Sequence, residues 1–145
     1  MNKSNHILKV AASVIEQQSE AIAGLAPQLN KDFELVVDWV HTGKGRLVLT
    51  GIGKSAIIGM KISATLNSTG TKSIFMHAAD AIHGDLGMIE QQDIVLCLSK
   101  SGTSAEIKTL VPLLKNRGNK LICMTANPTS FLAQNADAIL SLIHI

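Results

Sequence analysis

Gly51-Ile52-Gly53-Lys54-Ser55 and Ser99-Lys100-Ser101-Gly102-Thr103-Ser104 each join a short apolar run to a helical pattern, and the fold follows from that repetition. The first lies between Arg46–Thr50 and Ser55–Leu66, the second between Asp93–Leu98 and Ser104–Asn116. Compact runs rich in Val, Ile and Leu, too short for helices, have the character of strands buried on both faces. Three more, Lys72–His77, Lys120–Thr125 and Ala138–Ile143, alternate with helical segments at Ala79–Ile82 and Ser130–Asn135. The alternation predicts an α/β fold: a three-layer, doubly wound, five-stranded parallel sheet in the flavodoxin-like order 2-1-3-4-5. Strands 1 and 3 are then neighbours at the topological switch point, and the two loops flank one crevice at the carboxyl edge of the sheet.

The glycine loop is similar to the end of a Walker A motif but lacks its geometry, because the position required to be the first glycine is Val48, inside the strand. A dinucleotide fingerprint fails as well: Ala56 replaces its third glycine only loosely, and no acidic residue closes the next strand. What remains is a turn that lets backbone approach a ligand, with Lys54 as a mobile cation at a helix start. A tight turn with a solvated lysine accounts for it equally well. The serine loop carries a stronger signal. Hydroxyls at Ser99, Ser101, Thr103 and Ser104 and a glycine at a helix start offer a phosphate monoester hydroxyl donors, backbone N–H groups and the positive end of the helix dipole. A capping box, Thr103-Ser104-Ala105-Glu106, explains Thr103 and Glu106 but leaves Ser99, Ser101 and Gly102 without a purpose. A crevice with both loops suits a phosphate carried on a polyol chain.

Outward from the core, Ile7, Leu8, Ala11, Val14, Ile15, Ile22 and Leu25 recur at helical spacing and predict an amphipathic helix from Asn5, ended by Pro27. A second helix is expected with Asn30 as N-cap, Asp32 and Glu34 in its first turn, Phe33, Val36, Val37 and Val40 buried, and Gly43 as its stop. The expected organisation is one domain, with a helical arm over residues 1–43 and an α/β core over 44–145. The helix after the glycine loop is apolar nearly all round, as for a covered crossover, and Pro112 is expected to kink the helix Ser104–Asn116 or to start a new turn there. Nothing follows the last apolar run that would cover it, so the core is expected to be incomplete at its C-terminal end.

Composition narrows the function. The 145 residues are 46% hydrophobic and 17% charged, which excludes a disordered chain. A net charge of +2 without a basic block, and 3% aromatics, argue against nucleic acid and anionic membranes as partners. No apolar run spans a bilayer, and the first helix reads straight into Glu16-Gln17-Gln18 rather than into a signal-peptide cleavage site. Cys97 and Cys123 lie in apolar runs without metal-site spacing and read as buried thiols of a cytoplasmic protein.

GIGKS at 51–55, HAADAIHGDLGM at 77–88 and SKSGTSAEI at 99–107 together resemble the sugar-isomerase (SIS) domain family and, within it, the arabinose-5-phosphate isomerases, over residues 5–140. The resemblance implies an aldose–ketose isomerase that interconverts D-ribulose 5-phosphate and D-arabinose 5-phosphate through an enediolate, for Kdo and lipopolysaccharide synthesis. It implies that Ser99, Ser101, Gly102, Thr103 and Ser104 hold the phosphate with Gly53 and Ser55, and that Gly70 and Thr71 lie against the substrate. Lys54, His83 and Glu106 match catalytic positions, His83 also as a substrate contact. His77 matches a position associated with an inhibitory or accessory zinc ion, with no cofactor required. A homo-oligomer, dimer or tetramer, is implied too. The family's further helices, and the CBS domain pair of its common form, are missing from the sequence. Each residue has a plainer reading: Glu106 as a capping partner, His83 as a loop histidine held by Asp85, His77 as a packed strand-end histidine. The alternative for the whole chain is a non-catalytic phosphosugar-binding SIS module that regulates a partner. The absence of a helix-turn-helix before residue 45 argues against its transcription-factor form.

Overall fold

In the computed structural model, which describes residues 3–141, the apolar runs form β1 (Leu47–Gly51), β2 (Ser73–His77), β3 (Ile94–Leu98), β4 (Lys120–Thr125) and β5 (Ala138–Ser141). They make one parallel sheet in the order β2-β1-β3-β4-β5, as the alternation of elements predicts. Residues 142–143 of the expected last strand lie outside the described residues. The helices are α1 (Lys3–Ala23), α2 (Lys31–Thr42), α3 (Lys54–Ser68), α4 (Ala78–Ile82), α5 (Ala105–Arg117) and α6 (Phe131–Asn135).

Side chains alternate across a strand, and the alternation sorts the core into two layers. Val48, Met76, Val95, Cys97, Leu121 and Cys123 pack with Ile107, Leu110, Val111 and Leu114 of α5 and with Leu132 of α6. On the other face Leu47, Leu49, Ile94, Leu96, Leu98 and Ile122 pack with Val36 of α2 and with Ile62 and Leu66 of α3. Burial pushes the Cys97 thiol well above its usual range and the Cys123 thiol up to about 12, so both stay protonated.

The chain divides between Asn30 and Lys31 into two compact units. The first holds α1 and a short 3-10 turn at Ala26–Gln28 opened by Pro27. Within α1, Ile7, Leu8, Val14, Ile15 and Ile22 are exposed. The second unit includes α2, because Asp32 Oδ2 accepts the Ile139 N–H of β5 at 2.8 Å and Val36 is buried. The buried stripe of α2 is Val36, Trp39 and Val40, one helical face, whereas Phe33 and Val37 are 42% and 51% exposed. Two further expectations are corrected. α5 runs unbroken through Pro112, which sits on its solvent face, and α3 leaves Ile57, Ile58 and Met60 exposed instead of covered.

The amino ends of the strands are fastened by polar side chains. Asp93, before β3, accepts the backbone N–H and the guanidinium of Arg46, before β1, at 2.7 and 2.6 Å, and the N–H of Glu90 at 2.9 Å. Asn119, before β4, donates to the carbonyls of Glu90 and Asp93. Asn67 and Ser73 exchange two hydrogen bonds of 2.9 Å and fix the start of β2. Burial alone raises the Asp93 pKa, but the hydrogen bonds from Arg46 and Glu90 outweigh it and hold the carboxyl below its usual range. The unfolded chain therefore takes up this proton at a higher pH than the native one. The stabilisation is complete above the ordinary carboxylate range, near pH 4, and is lost as pH falls through the depressed value. Asp93→Asn should lower stability by about 2–3 kcal/mol in urea titrations at pH 7 and flatten the loss of stability between about pH 5 and 3. Thr50, fully buried in β1, has a hydroxyl without a hydrogen-bond partner among the described residues. Thr50→Val keeps the shape and should raise stability by about 1 kcal/mol in the same titration.

Candidate functional site

The register places Gly51 of β1 opposite both His77 of β2 and Leu98 of β3, so the loops after these three strands leave the sheet side by side at its carboxyl edge. Between the loops after β1, β3 and β4 lies a crevice of about 470 Å³. Ile52 and Ser55 form one wall, Ser99, Lys100, Ser101 and Ser104 the second, and Ala126 and Asn127 the third, with Leu98 and Ile107 between them. Gly53 is the N-cap of α3 at φ 57°, a left-handed conformation that suits glycine, and no side chain caps the helix. α5 starts at Ala105, and its N-terminus opens beside the same crevice. Two helix dipoles therefore add positive potential where hydroxyls gather.

The serine loop is shaped by hydrogen bonds of its own and of its neighbour. Ser99 Oγ accepts the Gly102 N–H at 3.1 Å, and Ser101 Oγ accepts the Thr103 N–H at 3.4 Å. Gly102 has φ 65°, and a Cβ there would overlap Ser130 Oγ and stand 3.2 Å from Thr125 Oγ1. The capping box that is the plainer reading of Thr103 and Glu106 does not form. Ser104, not Thr103, is the N-cap of α5, and its side chain makes no capping bond. Glu106 is thereby one position too early in the helix to serve as the reciprocal partner. The Ser104 hydroxyl and the half-buried Glu106 carboxylate are both left for other work.

The structure brings together Ser55, Ser99, Ser101 and Ser104 on the crevice walls, with Gly53, Gly102 and Thr103 in the same two loops. Lys54, between Gly53 and Ser55, and Glu106, two residues after Ser104, do not line the crevice, and both are open to solvent at least in part. His83 closes α4, exposed, with no hydrogen bond to Asp85 among the described residues. His77 is the N-cap of α4 and accepts the Ala79 N–H through Nδ1 at 3.3 Å. Among the described residues no group of three His, Cys, Asp or Glu side chains converges. Gly70 and Thr71 are not part of the crevice. Their loop precedes β2 and therefore sits at the amino edge, where it lines a separate concavity of about 640 Å³ with Val36, His41, Lys44 and Arg46. Lys100, Ala126 and Asn127 on the crevice walls escaped the sequence reading. The strand order carried the signal for the last two, since β4 neighbours β3 and its Asn127-Pro128 turn must flank the serine loop.

Residues 42–144 match the SIS domain family. The chain is 46% identical over 138 residues to arabinose 5-phosphate isomerase KpsF of Escherichia coli O6:H1, a match that covers 94% of this chain and 42% of that protein. To arabinose 5-phosphate isomerase KdsD of Pseudomonas aeruginosa it is 47% identical over 139 residues, covering 94% and 43%. The chain thus spans less than half the length of these curated relatives. A solved structure of an E. coli CFT073 protein in complex with arabinose 5-phosphate superposes with a TM-score of 0.88 at 35% identity, over 97% of this chain and 74% of that one.

The serine loop depends on glycine at 102. Gly102→Ala forces a left-handed alanine against Ser130 and should cost about 2 kcal/mol or more of stability in urea unfolding. An unchanged midpoint would show that the loop does not hold this conformation.

Proposed function

Because this chain belongs to the SIS domain family, we propose that it carries the phosphosugar site of an aldose–ketose isomerase interconverting D-ribulose 5-phosphate and D-arabinose 5-phosphate. One observation supports this above the others: a hydroxyl-walled crevice at the switch point between β1 and β3. Identity to two proteins named arabinose 5-phosphate isomerase supports a pentose phosphate as the sugar.

In this reading the phosphate dianion meets the N–H groups at the start of α5 and the hydroxyls of Ser99, Ser101, Thr103 and Ser104, with Gly53 and Ser55 opposite. The reacting C1 and C2 are at the other end of the sugar and lie outside the phosphate crevice. Isomerisation moves the C2 proton of the aldose to C1 and a hydroxyl proton from O2 to O1, by way of an enediolate. Glu106 takes the carbon-bound proton or orients the group that does. His83 passes the proton between the two oxygens, and the Lys54 ammonium offsets the negative charge that develops on them. The proton transfers balance without a redox partner, so the reaction needs no cofactor. Cytoplasmic location, a place in Kdo and lipopolysaccharide synthesis, and assembly as a homo-oligomer through the exposed stripe of α1 belong to the same proposal. Among the described residues no helix is long and apolar enough to cross a membrane.

The test is a coupled assay of ribulose 5-phosphate isomerisation, run on this chain and on the longer protein that its relatives' lengths suggest. The longer protein should turn over both pentose phosphates, and Glu106→Gln should reduce kcat roughly 100-fold or more. Activity on another sugar phosphate with none on these would overturn the substrate assignment. Binding without turnover of any sugar phosphate would favour the regulatory reading.

A further inference from the structure

We infer that Thr125, at the end of β4, is a positioning residue for the phosphate loop, an assignment that rests on the crevice being a phosphate site. A loop that receives an anion has to present N–H and O–H groups and keep its carbonyl oxygens turned elsewhere, because a carbonyl dipole repels negative charge. In the serine loop the carbonyls of Lys100 and Gly102 are held by one neighbouring segment, residues 125–132. Lys100 O accepts from Thr125 Oγ1 and from the Ala126 N–H, each at 3.1 Å, and Gly102 O accepts the Leu132 N–H at 3.0 Å.

Of these donors only Thr125 acts through a side chain, and its hydrogen-bond sense is fixed. The hydroxyl oxygen accepts the Asn127 N–H at 3.2 Å, which leaves its proton for the Lys100 carbonyl. Thr125 is fully buried, so water does not compete for either bond. The same oxygen stands 3.2 Å from the position a Cβ on Gly102 would take, so it also packs against the left-handed turn. One hydroxyl thus ties the serine loop to Ala126 and Asn127, which form the facing wall of the crevice. Without it, the Lys100 carbonyl keeps a single donor and is free to swing toward the ligand, and the wall loosens with it. A hydroxyl that merely finished the strand would affect stability without touching the loop's affinity for anions.

The experiment measures the Kd of inorganic phosphate by titration calorimetry for this chain and for Thr125→Val, Thr125→Ser and Thr125→Ala, with urea midpoints alongside. Thr125→Val keeps the shape and removes the hydroxyl, and phosphate affinity should fall about tenfold or more. Thr125→Ser restores the hydroxyl and should bind within about twofold of the parent, whatever its midpoint. Thr125→Ala puts the same question with less bulk to place if the valine variant does not fold. Phosphate affinity unchanged in the folded valine or alanine variant, or not rescued by serine, would overturn the assignment. A parent chain that binds no phosphate would overturn the phosphate-site reading itself, a separate and earlier failure.

Discussion

The Asp93 carboxylate sets the relative height of β1 and β3. It holds the backbone N–H and guanidinium of Arg46 on one strand's approach and the Glu90 N–H on the other's, and it lies just ahead of β3 itself. A slip of one residue between these strands would turn every core side chain to the opposite face and shift one loop by about 3.3 Å against the other. The crevice exists only in the observed register, since Ser55 and Ser101 reach it from different strands. Arg46 also donates to the Met88 carbonyl, so the turn that carries His83-Gly84-Asp85 is tied to the same point. Stability and site geometry therefore share one electrostatic anchor, remote from the ligand.

At the ligand end, order comes from backbone groups and hydroxyls rather than charge. Carbonyls of the serine loop are claimed by the segment after β4, glycine at 102 permits the close approach of Ser130, and Ser104 caps α5 by its backbone while leaving its hydroxyl unspent. Little depends on long, mobile side chains, which suits the phosphate-binding role proposed for this crevice. The groups proposed for proton transfer stand outside the crevice, as they should if the phosphate anchors one end of the sugar and chemistry happens at the other.

The central sheet is readable from sequence because β1 and β3 are short runs that are apolar except for Thr50, the pattern of strands buried on both faces. Strand order follows from the same pattern plus chain connectivity. Details that depend on a single residue's reach are not readable. Thr103 and Ser104 are chemically equivalent as caps, and only the backbone decides that Ser104 begins the helix. Val36, Val37 and Val40 look alike in sequence, yet with Asp32 bonded to β5 it is Trp39 that joins Val36 and Val40 against the sheet, while Val37 faces out. Resemblance alone sets Gly70 and Thr71 against the substrate, and the order of elements puts them before β2, at the edge of this sheet opposite the crevice. Thr125 and Asn127 carry no motif. They matter through what the topology sets beside them.

The five-residue strands β1 and β3 place about 20 Å between the Arg46–Asp93 pair and the serine loop. Sites that far apart are usually independent in energy, so a change in one seldom alters the cost of a change in the other. A lineage built on this sheet can vary its ligand loops while the anchor keeps the strands in step. Loops of this kind are where new specificities arise, and the polar pair at the far edge is what makes their variation tolerable.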